Sequence, residues 1–456
     1  MVVIYKLPGF AASIALIIYI VLTILLLNGF EITLTLPGIA GIILSIGMAV
    51  DANVIIFARI GEELATGKTV RSSMKIGFQK AKSAILDGNI TTLIAAFVLW
   101  FMGSGTVKGF AQTLALGIAL SMFTSMLVTK LILNALFAIG LKDIKLYTIA
   151  KAPKTFDYIS KKALFVGISI AMVAIGLVSM GMNKVSTGDI LNYSLDFKGG
   201  TATNVTFETE LDIEEIESKV VPIFEEVIGG GGVVPQKVQG TYEVIFKTRT
   251  MTVEERTELS AALNSEFQVD EEKITTETIS SAISDEMKTD AIIAVAIATV
   301  CMLIYVWFRF KDVRFGASSV ICLLHDVLVV IAFYALAKIA VGSTFIACVL
   351  TIVGYSINAT IVVFDRIREN MSEMKPKDEL KDIVNLSVNQ SLGRSIFTSL
   401  TTFIMVAVLY IFGVTSIREF ALPLMIGIIC GAYSSVCLAG SLWYILRCKF
   451  EITEEE

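Results

Sequence analysis

The chain has 456 residues, 55% of them hydrophobic and 17% charged, with a formal net charge of −5 and a mean hydropathy of +0.76. That balance excludes a water-soluble globule and fits a polytopic membrane protein. A small acidic total spread over loops offers no footprint for nucleic acid. One histidine, His325, and six cysteines that form no CxxC pair leave no pattern for a metal or other cofactor, and the cysteines read as small hydrophobes.

The opening MVVIYKLPGF reads as the tail of one apolar segment joined to the next, not as a cleavable signal. A crossing helix needs about 20 apolar residues. Ten stretches qualify, at 9–28, 37–57, 88–103, 110–139, 163–182, 288–308, 315–338, 344–364, 395–412 and 419–446, the third being short. Basic residues orient them. Lys6 precedes the first, Arg59, Lys68, Arg71, Lys75, Lys80 and Lys82 lie in 58–87, and six lysines lie in 140–162. Arg309, Lys311 and Arg314 share a short turn, six basic residues fill 365–394, and Arg447 and Lys449 close the series. Alternation through ten spans puts all of these on one side, which the positive-inside rule makes the cytoplasm.

One acidic, polar insert at 183–287 lies on the other side. Strand-like runs at 201–208, 233–239, 242–248 and 273–280 alternate with helical patterns at 212–227 and 252–267, both with acids in the first turn. A tight turn is expected at Gly240-Thr241 and a flexible connector at 229–232. The order βαββαβ predicts a ferredoxin-like fold. The fold class is therefore a polytopic α-helical membrane protein of about ten transmembrane helices in two parallel pseudo-repeats, plus one small α+β ferredoxin-like extracytoplasmic domain. Residues 1–140 form the first transmembrane half, 141–162 a cytoplasmic linker, 163–182 the first span of the second half, 288–446 its remaining helices and 447–456 a cytoplasmic tail.

The repeat is explicit. GMAVDANVIIFARIGE (47–62) aligns without gaps to GYSINATIVVFDRIRE (354–369), matching Gly47 with Gly354, Arg59 with Arg366 and Glu62 with Glu369. TTLIAAFVLWFMG (91–103) aligns to TTFIMVAVLYIFG (401–413), and Phe110 to Phe420. Parallel repeats of this kind place substrate or ion sites at their interface.

Asp51 is the anomaly in the first copy, since no other charge lies in 34–58. A charge at the bilayer centre costs roughly 2.5–3.5 kcal/mol on insertion scales, so it faces a protein interior. Two readings stand: an acid paired for packing, or a carboxyl that loses and gains a proton. Asp51 aligns with Asn358, and Arg394 of the second copy with Ala84 of the first. Packing about a two-fold axis would bring Asp51 and Arg394 together. Arginine stays charged, so a proton carried here is carried on Asp51, and a motion that changes their separation changes its proton affinity. Alternatively, Arg394 is a snorkelling anchor at the cytoplasmic end. Weaker polar candidates are His325 and Asp326, as a proton relay, a contact for Arg394 or a satisfied pair. Asn53, Asn358, Thr91, Thr92, Thr401 and Thr402 can bond across helices, and Asn89 can cap its span.

At these residues the chain resembles the SecD–SecF family of the resistance-nodulation-division superfamily. TLPGIAGIILSIGMAVDANVIIFARI and ILDGNITTLIAA resemble the SecD pattern, and LDFKGGT, GYSIN…VVFDRIREN and LGRSIFTSLTT resemble SecF. The resemblance implies a SecD–SecF fusion of the bacterial plasma membrane. It would use the proton or sodium gradient to promote late steps of protein export, with the SecYEG channel, YidC, YajC and the emerging preprotein as partners. Carried over, Asp51 matches the family's SecD-half aspartate and Arg394 its SecF-half arginine. Where SecF commonly has Asn-Asp this chain has Asn358-Ala359, so Asp51 works alone with Arg394, another group takes part, or this copy is altered. The start at about the end of the family's second span reads as a fragment, half of a split gene or a shortened form. The resemblance leaves a non-transporting scaffold of the translocase and a small-molecule exporter of the same superfamily as alternatives. An enzyme fits least, because no nucleophile–base constellation is present.

Overall fold

The structure, a computed structural model, describes residues 1–103, 105–150, 155–230, 232–237, 241–375, 378–413 and 415–454. In chain order the principal elements are α1 (Leu7–Gly29), α2 (Leu36–Ala65), α3 (Val70–Met102), α4 (Val107–Ala138) and α5 (Lys162–Thr187), then β1 (Gly200–Thr206), α6 (Val221–Ile228), β2 (Val234–Lys237), β3 (Glu243–Thr248), α7 (Val253–Phe267) and β4 (Ile274–Ile279). The chain continues as α8 (Ser281–Phe310), α9 (Val313–Ala337), α10 (Ser343–Ser372), α11 (Leu380–Phe412) and α12 (Ile417–Lys449). Among the described residues, ten helices are long and apolar enough to cross a membrane. The chain divides into a helical unit, Met1–Gly188 with Ile293–Ala337 and Thr344–Glu456, and a smaller unit, Asp189–Ile292 with Lys338–Ser343.

Within the helical unit, local signals set the helix starts. Thr35 and Thr69 cap α2 and α3 by accepting the backbone N–H groups of Gly38 and Ser72. Pro8 and Pro37 occupy first turns, where a missing N–H costs nothing. Several expected boundaries move: the spans expected to end at 57 and 364 run on to Ala65 and Ser372, the one expected to begin at 288 begins at Ser281, and two shifts are larger. The third span, expected at 88–103, begins at Val70, and the ninth, expected at 395–412, begins at Leu380. Hydropathy registers only the apolar part of each, whereas the backbone ladder runs on through turns bearing Lys75, Lys80 and Lys82 or Lys381. Asn89 is consequently inside a helix, where its Nδ2 donates to the Ile85 carbonyl 2.8 Å away, and it caps nothing.

Helices α2 and α10 form the centre. Of their apolar windows 72% and 83% are buried, against 17% in α5. The packing between halves is reciprocal. Gly47 on α2 rests on Thr402 of α11, and its counterpart Gly354 on α10 rests on Thr92 of α3, the counterpart of Thr402. Phe110 and Phe420, themselves counterparts, meet with ring centroids 4.8 Å apart. A π turn in α4, Thr124–Val128, is answered by one in α12, Ser434–Ala439. Swapped equivalent contacts are what an isologous two-fold interface produces, so the two parallel repeats pack about a pseudo-two-fold axis.

The smaller unit is a four-stranded antiparallel sheet in the order β2-β3-β1-β4, the split βαβ arrangement expected from the element order. Its helices cover a core in which Phe224 stacks on Phe246, with ring centroids 4.3 Å apart, beside Val205, Leu259 and Leu263. Thr252 and Glu255 form a capping box at the start of α7. The helix expected over 212–227 is interrupted by a π turn, Ile216–Val220. Pro222 follows it and lacks the N–H that a regular ladder would use there. The strand expected over 233–239 ends at Lys237; residues 238–240, with half of the Gly240-Thr241 turn, lie outside the described residues, as does Gly231 of the connector.

Candidate functional site

Asp51 sits mid-helix in α2 and is 5% exposed, with no hydrogen-bond partner for Oδ1. Arg394, on α11 of the other half, is 7% exposed. One of its Nη atoms lies 3.4 Å from the Val362 carbonyl, and its Nε is unpartnered. Both side chains line one cavity, with Tyr355, Asn358, Ala359, Ser395 and Thr398 among its other walls. The cavity gives water centres about 10 Å³, about what one water needs. Among the described residues no ion pair within 4.0 Å joins Asp51 to Arg394. The carboxyl and the guanidinium thus share a buried space between the repeats without contact.

The backbone crossing beside this cavity depends on one glycine. A Cβ on Gly88 of α3 would lie 1.8 Å from Oδ1 of Asn358, so only glycine lets α3 approach α10 with Asn358 in place. Asn358 Oδ1 and Ser395 Oγ, both on the cavity walls, are buried without a partner, like Asp51 Oδ1. Each such atom costs about 1–3 kcal/mol in a dry interior, and their concentration around Asp51 marks a polar seam through apolar helices.

The remaining sequence candidates take other places. Asn53 donates back to the Ala49 carbonyl at 2.9 Å. Thr91 and Thr92 donate to the Gly88 carbonyl at 2.7 and 3.2 Å, and Thr401 to Phe397 and Thr398. These threonines bond within their own helices, not across helices as expected, because a helical hydroxyl reaches the carbonyl three or four residues back more easily. Asp326 is fully buried; it accepts from Ser434 Oγ at 2.8 Å and from Ser356 Oγ, and lies 2.9 Å from His325 Nδ1. His325 and Asp326 of α9 therefore form a hydrogen-bonded cluster with Ser356 of α10 and Ser434 of the π turn in α12. Neither lines the Asp51 cavity, and among the described residues neither pairs with Arg394.

Three groups escaped the sequence reading. Arg59 pairs with Glu62 at 3.0 Å and Glu369 at 3.1 Å, while Arg366 pairs with Glu369 at 3.0 Å and Glu62 at 2.6 Å. This closed ring of four charges joins α2 to α10. Its signal was present as Arg-x-x-Glu matched in both repeats. Asp87, beside Gly88, accepts from Tyr305 at 2.9 Å and pairs with Arg309 at 2.5 Å, both on α8; at the expected edge of a span it gave no signal. Asp157, before α5, accepts from the Ser160 N–H and from Asn385 of α11, each at 2.9 Å, and pairs with Lys381 at 3.1 Å. The bonds from Ser160, then those from Lys381 and Asn385, hold its carboxyl well below the usual carboxylate range.

Comparison with known proteins places this architecture. The family model "Protein export membrane protein SecD/SecF, C-terminal" matches residues 1–138 and 259–449. The protein translocase subunit SecDF of Bacillus subtilis is 36% identical over 466 residues, covering 96% of this chain and 61% of that protein. The protein translocase subunit SecD of Acidaminococcus fermentans is 57% identical over 136 residues, covering 30% of this chain and 33% of that one. The crystal structure of SecDF from Thermus thermophilus, described as a translocon-associated membrane protein, superimposes with a TM-score of 0.88 at 34% identity, over 98% of this chain and 60% of that one. The chain spans between 52% and 61% of the length of the SecDF relatives it matches. With ten apolar helices in two reciprocal halves and these matches along nearly its whole length, the chain belongs to the SecD/SecF family of protein export membrane proteins.

Proposed function

We propose that the chain is an energy-coupled accessory of the Sec preprotein translocase, in which Asp51 takes up and releases the coupling ion. Arg394 is the fixed counter-charge. The observation that carries this reading is the shared cavity: a buried, unpartnered carboxyl from one repeat facing a buried guanidinium from the other. When Asp51 is ionised it is drawn toward Arg394; when protonated it is not, so each cycle alternately tightens and relaxes the interface between repeats. One proton moving down 100 mV releases about 2.3 kcal/mol, enough to bias two packings that differ by a few kcal/mol. The four-charge ring of Arg59, Glu62, Arg366 and Glu369 joins the same two central helices and is the natural pivot. In this reading the protein lies in the bacterial plasma membrane, the smaller unit is extracytoplasmic, and SecYEG, YidC, YajC and the emerging preprotein are its partners. The coupling ion is the proton, with sodium as the alternative.

One observation favours a second reading, a non-transporting scaffold of the translocase: Ala359 lines the cavity where the family resemblance leads one to expect an acid. Ion flux separates the two. The protein is reconstituted in vesicles containing a pH-sensitive dye, and a proton gradient is imposed. Proton entry that depends on Asp51, and that Asp51→Asn removes, supports coupling. Equal flux with both proteins, or none with either, supports the scaffold.

A further inference from the structure

A second cavity, of about 380 Å³, opens in the first half between α2, α3 and α4. Lys75, Lys82 and Lys130 converge on it, and Ile56, Phe78 and Met126 supply apolar wall. Among the described residues no acidic side chain pairs with any of the three lysines, in contrast to Lys68 and Lys80, which both hold Glu63. Lys130 instead lies 6.0 Å from the centroid of the Phe78 ring, a distance at which an ammonium and an aromatic face attract. The lysines belong to the basic end of the bundle, where the sequence reverses between helices.

The second half shows that this is not simply how the fold is built. At an offset of 310 residues, Lys75, Lys82 and Lys130 are replaced by Asn385, Leu392 and Gly440. There the chain fills its own groove. Asn385 Oδ1 accepts the backbone N–H groups of Tyr158 and Ile159 at 3.0 and 3.2 Å. A Cβ on Gly440 would lie only 3.1 Å from Val388. One half of the pseudo-symmetric bundle is closed by its own chain, and the other is left open and made cationic.

We propose that this cavity binds an anionic phospholipid, with the headgroup phosphate among Lys75, Lys82 and Lys130 and the acyl chain along Phe78, Met126 and Ile56. Basic pockets between membrane helices on the cytoplasmic side hold anionic headgroups by this combination of charge and apolar surface. Three unpaired cations fit a singly charged phosphodiester, and the apolar wall excludes a fully hydrated ion as the better occupant. The bound lipid reaches the helix of the coupling carboxyl. Ile56 is adjacent in sequence to Ile55, which lines the Asp51 cavity, so the acyl chain presses on the back of that segment of α2.

Native mass spectrometry of the purified full chain tests this, with phosphatidylglycerol, phosphatidylcholine and glycerol 3-phosphate added separately. The expected result is retention of phosphatidylglycerol in preference to phosphatidylcholine, with no retention of glycerol 3-phosphate at equal concentration. The triple variant Lys75→Gln, Lys82→Gln, Lys130→Gln should lose phosphatidylglycerol affinity, at roughly fivefold per lysine. Equal retention of the two lipids, or no loss in the triple variant, overturns the proposal. Glycerol 3-phosphate bound as tightly as the lipid would reveal a soluble phosphate site and also overturn it. Should the variant not fold, the unaltered chain decides: in vesicles containing photoactivatable phosphatidylglycerol, crosslinks should map to peptides around 75–85 and 126–130, and crosslinks elsewhere only would contradict the assignment. Each readout is lipid binding, so the result is independent of whether Asp51 couples ion movement to export.

Discussion

Replacing Glu62 by Gln should loosen the centre of the bundle by about 2 kcal/mol, a value bracketed by the costs of breaking buried and exposed ion pairs. Glu62 lies 3.0 Å from Arg59 and 2.6 Å from Arg366. At an effective dielectric of about 20, each contact carries roughly 5–6 kcal/mol of Coulomb energy. Most of that offsets the desolvation of the arginines, of which Arg59 is only 3% exposed. Glu62 itself is 30% exposed, so its loss costs less than the 3–5 kcal/mol of a fully buried broken pair and more than the 0–1 kcal/mol of a surface pair. The ring's reciprocity adds a sharper condition. Glu369→Gln should cost the same to within about 1 kcal/mol, its additional Lys80 contact at 3.7 Å being long and half-exposed. The double variant should cost more than the sum, since it leaves both arginines unpaired. Reversible unfolding of the protein in mixed micelles, followed by circular dichroism, measures all three. Single-variant costs that differ by more than 2 kcal/mol, or strict additivity, would refute a closed ring on a pseudo-two-fold axis.

Two further outcomes are expected. Gly88→Val forces a side chain into the space held by Asn358 and should destabilise by about 1–3 kcal/mol; Asn358→Ala in the same chain should restore part of that, and a Gly88→Val variant as stable as the parent would contradict the crossing. The docking of the segment before α5 onto α11 should depend on acid. Its Asp157 carboxyl titrates well below the ordinary value, so its contribution is complete above about pH 4, the unperturbed carboxylate value, and is lost as pH falls below it. Hydrogen-exchange protection at Tyr158 and Ile159, taken relative to the intrinsic rate at each pH, should therefore fall on acidification, and Asp157→Asn should flatten that dependence; a flat protection profile in the unaltered chain would argue against it.

What was legible in the sequence follows from what each signal measures. The ten spans came from apolar length, which the bilayer imposes independently of packing. The repeat was legible because Gly47 and Gly354 are constrained by one contact seen twice, and Phe110 and Phe420 by meeting each other. Asp51 stood out because nothing around it is charged. The polar extensions of α3 and α11 were not legible as helix, since hydropathy cannot distinguish a basic helical turn from a loop. Ser395 and Thr398 were invisible as cavity walls because small polar residues are common in membrane helices, and Tyr355 because it is one of twelve tyrosines; only packing brings the three to one place. Asp87 was passed over for the opposite reason to Asp51: it lay at the edge of an apolar run, where a charge needs no explanation, and its partners on α8 are far away in sequence.

The claim that matters most is that Asp51 carries the coupling ion, and export itself tests it most directly. Cells lacking their own SecD and SecF would receive this chain, together with the part of a SecDF relative that it does not span, either unaltered or carrying Asp51→Asn at equal membrane levels. Rescue of preprotein export by the unaltered chain alone is the predicted result. Equal rescue by the two chains would contradict it and leave a scaffold.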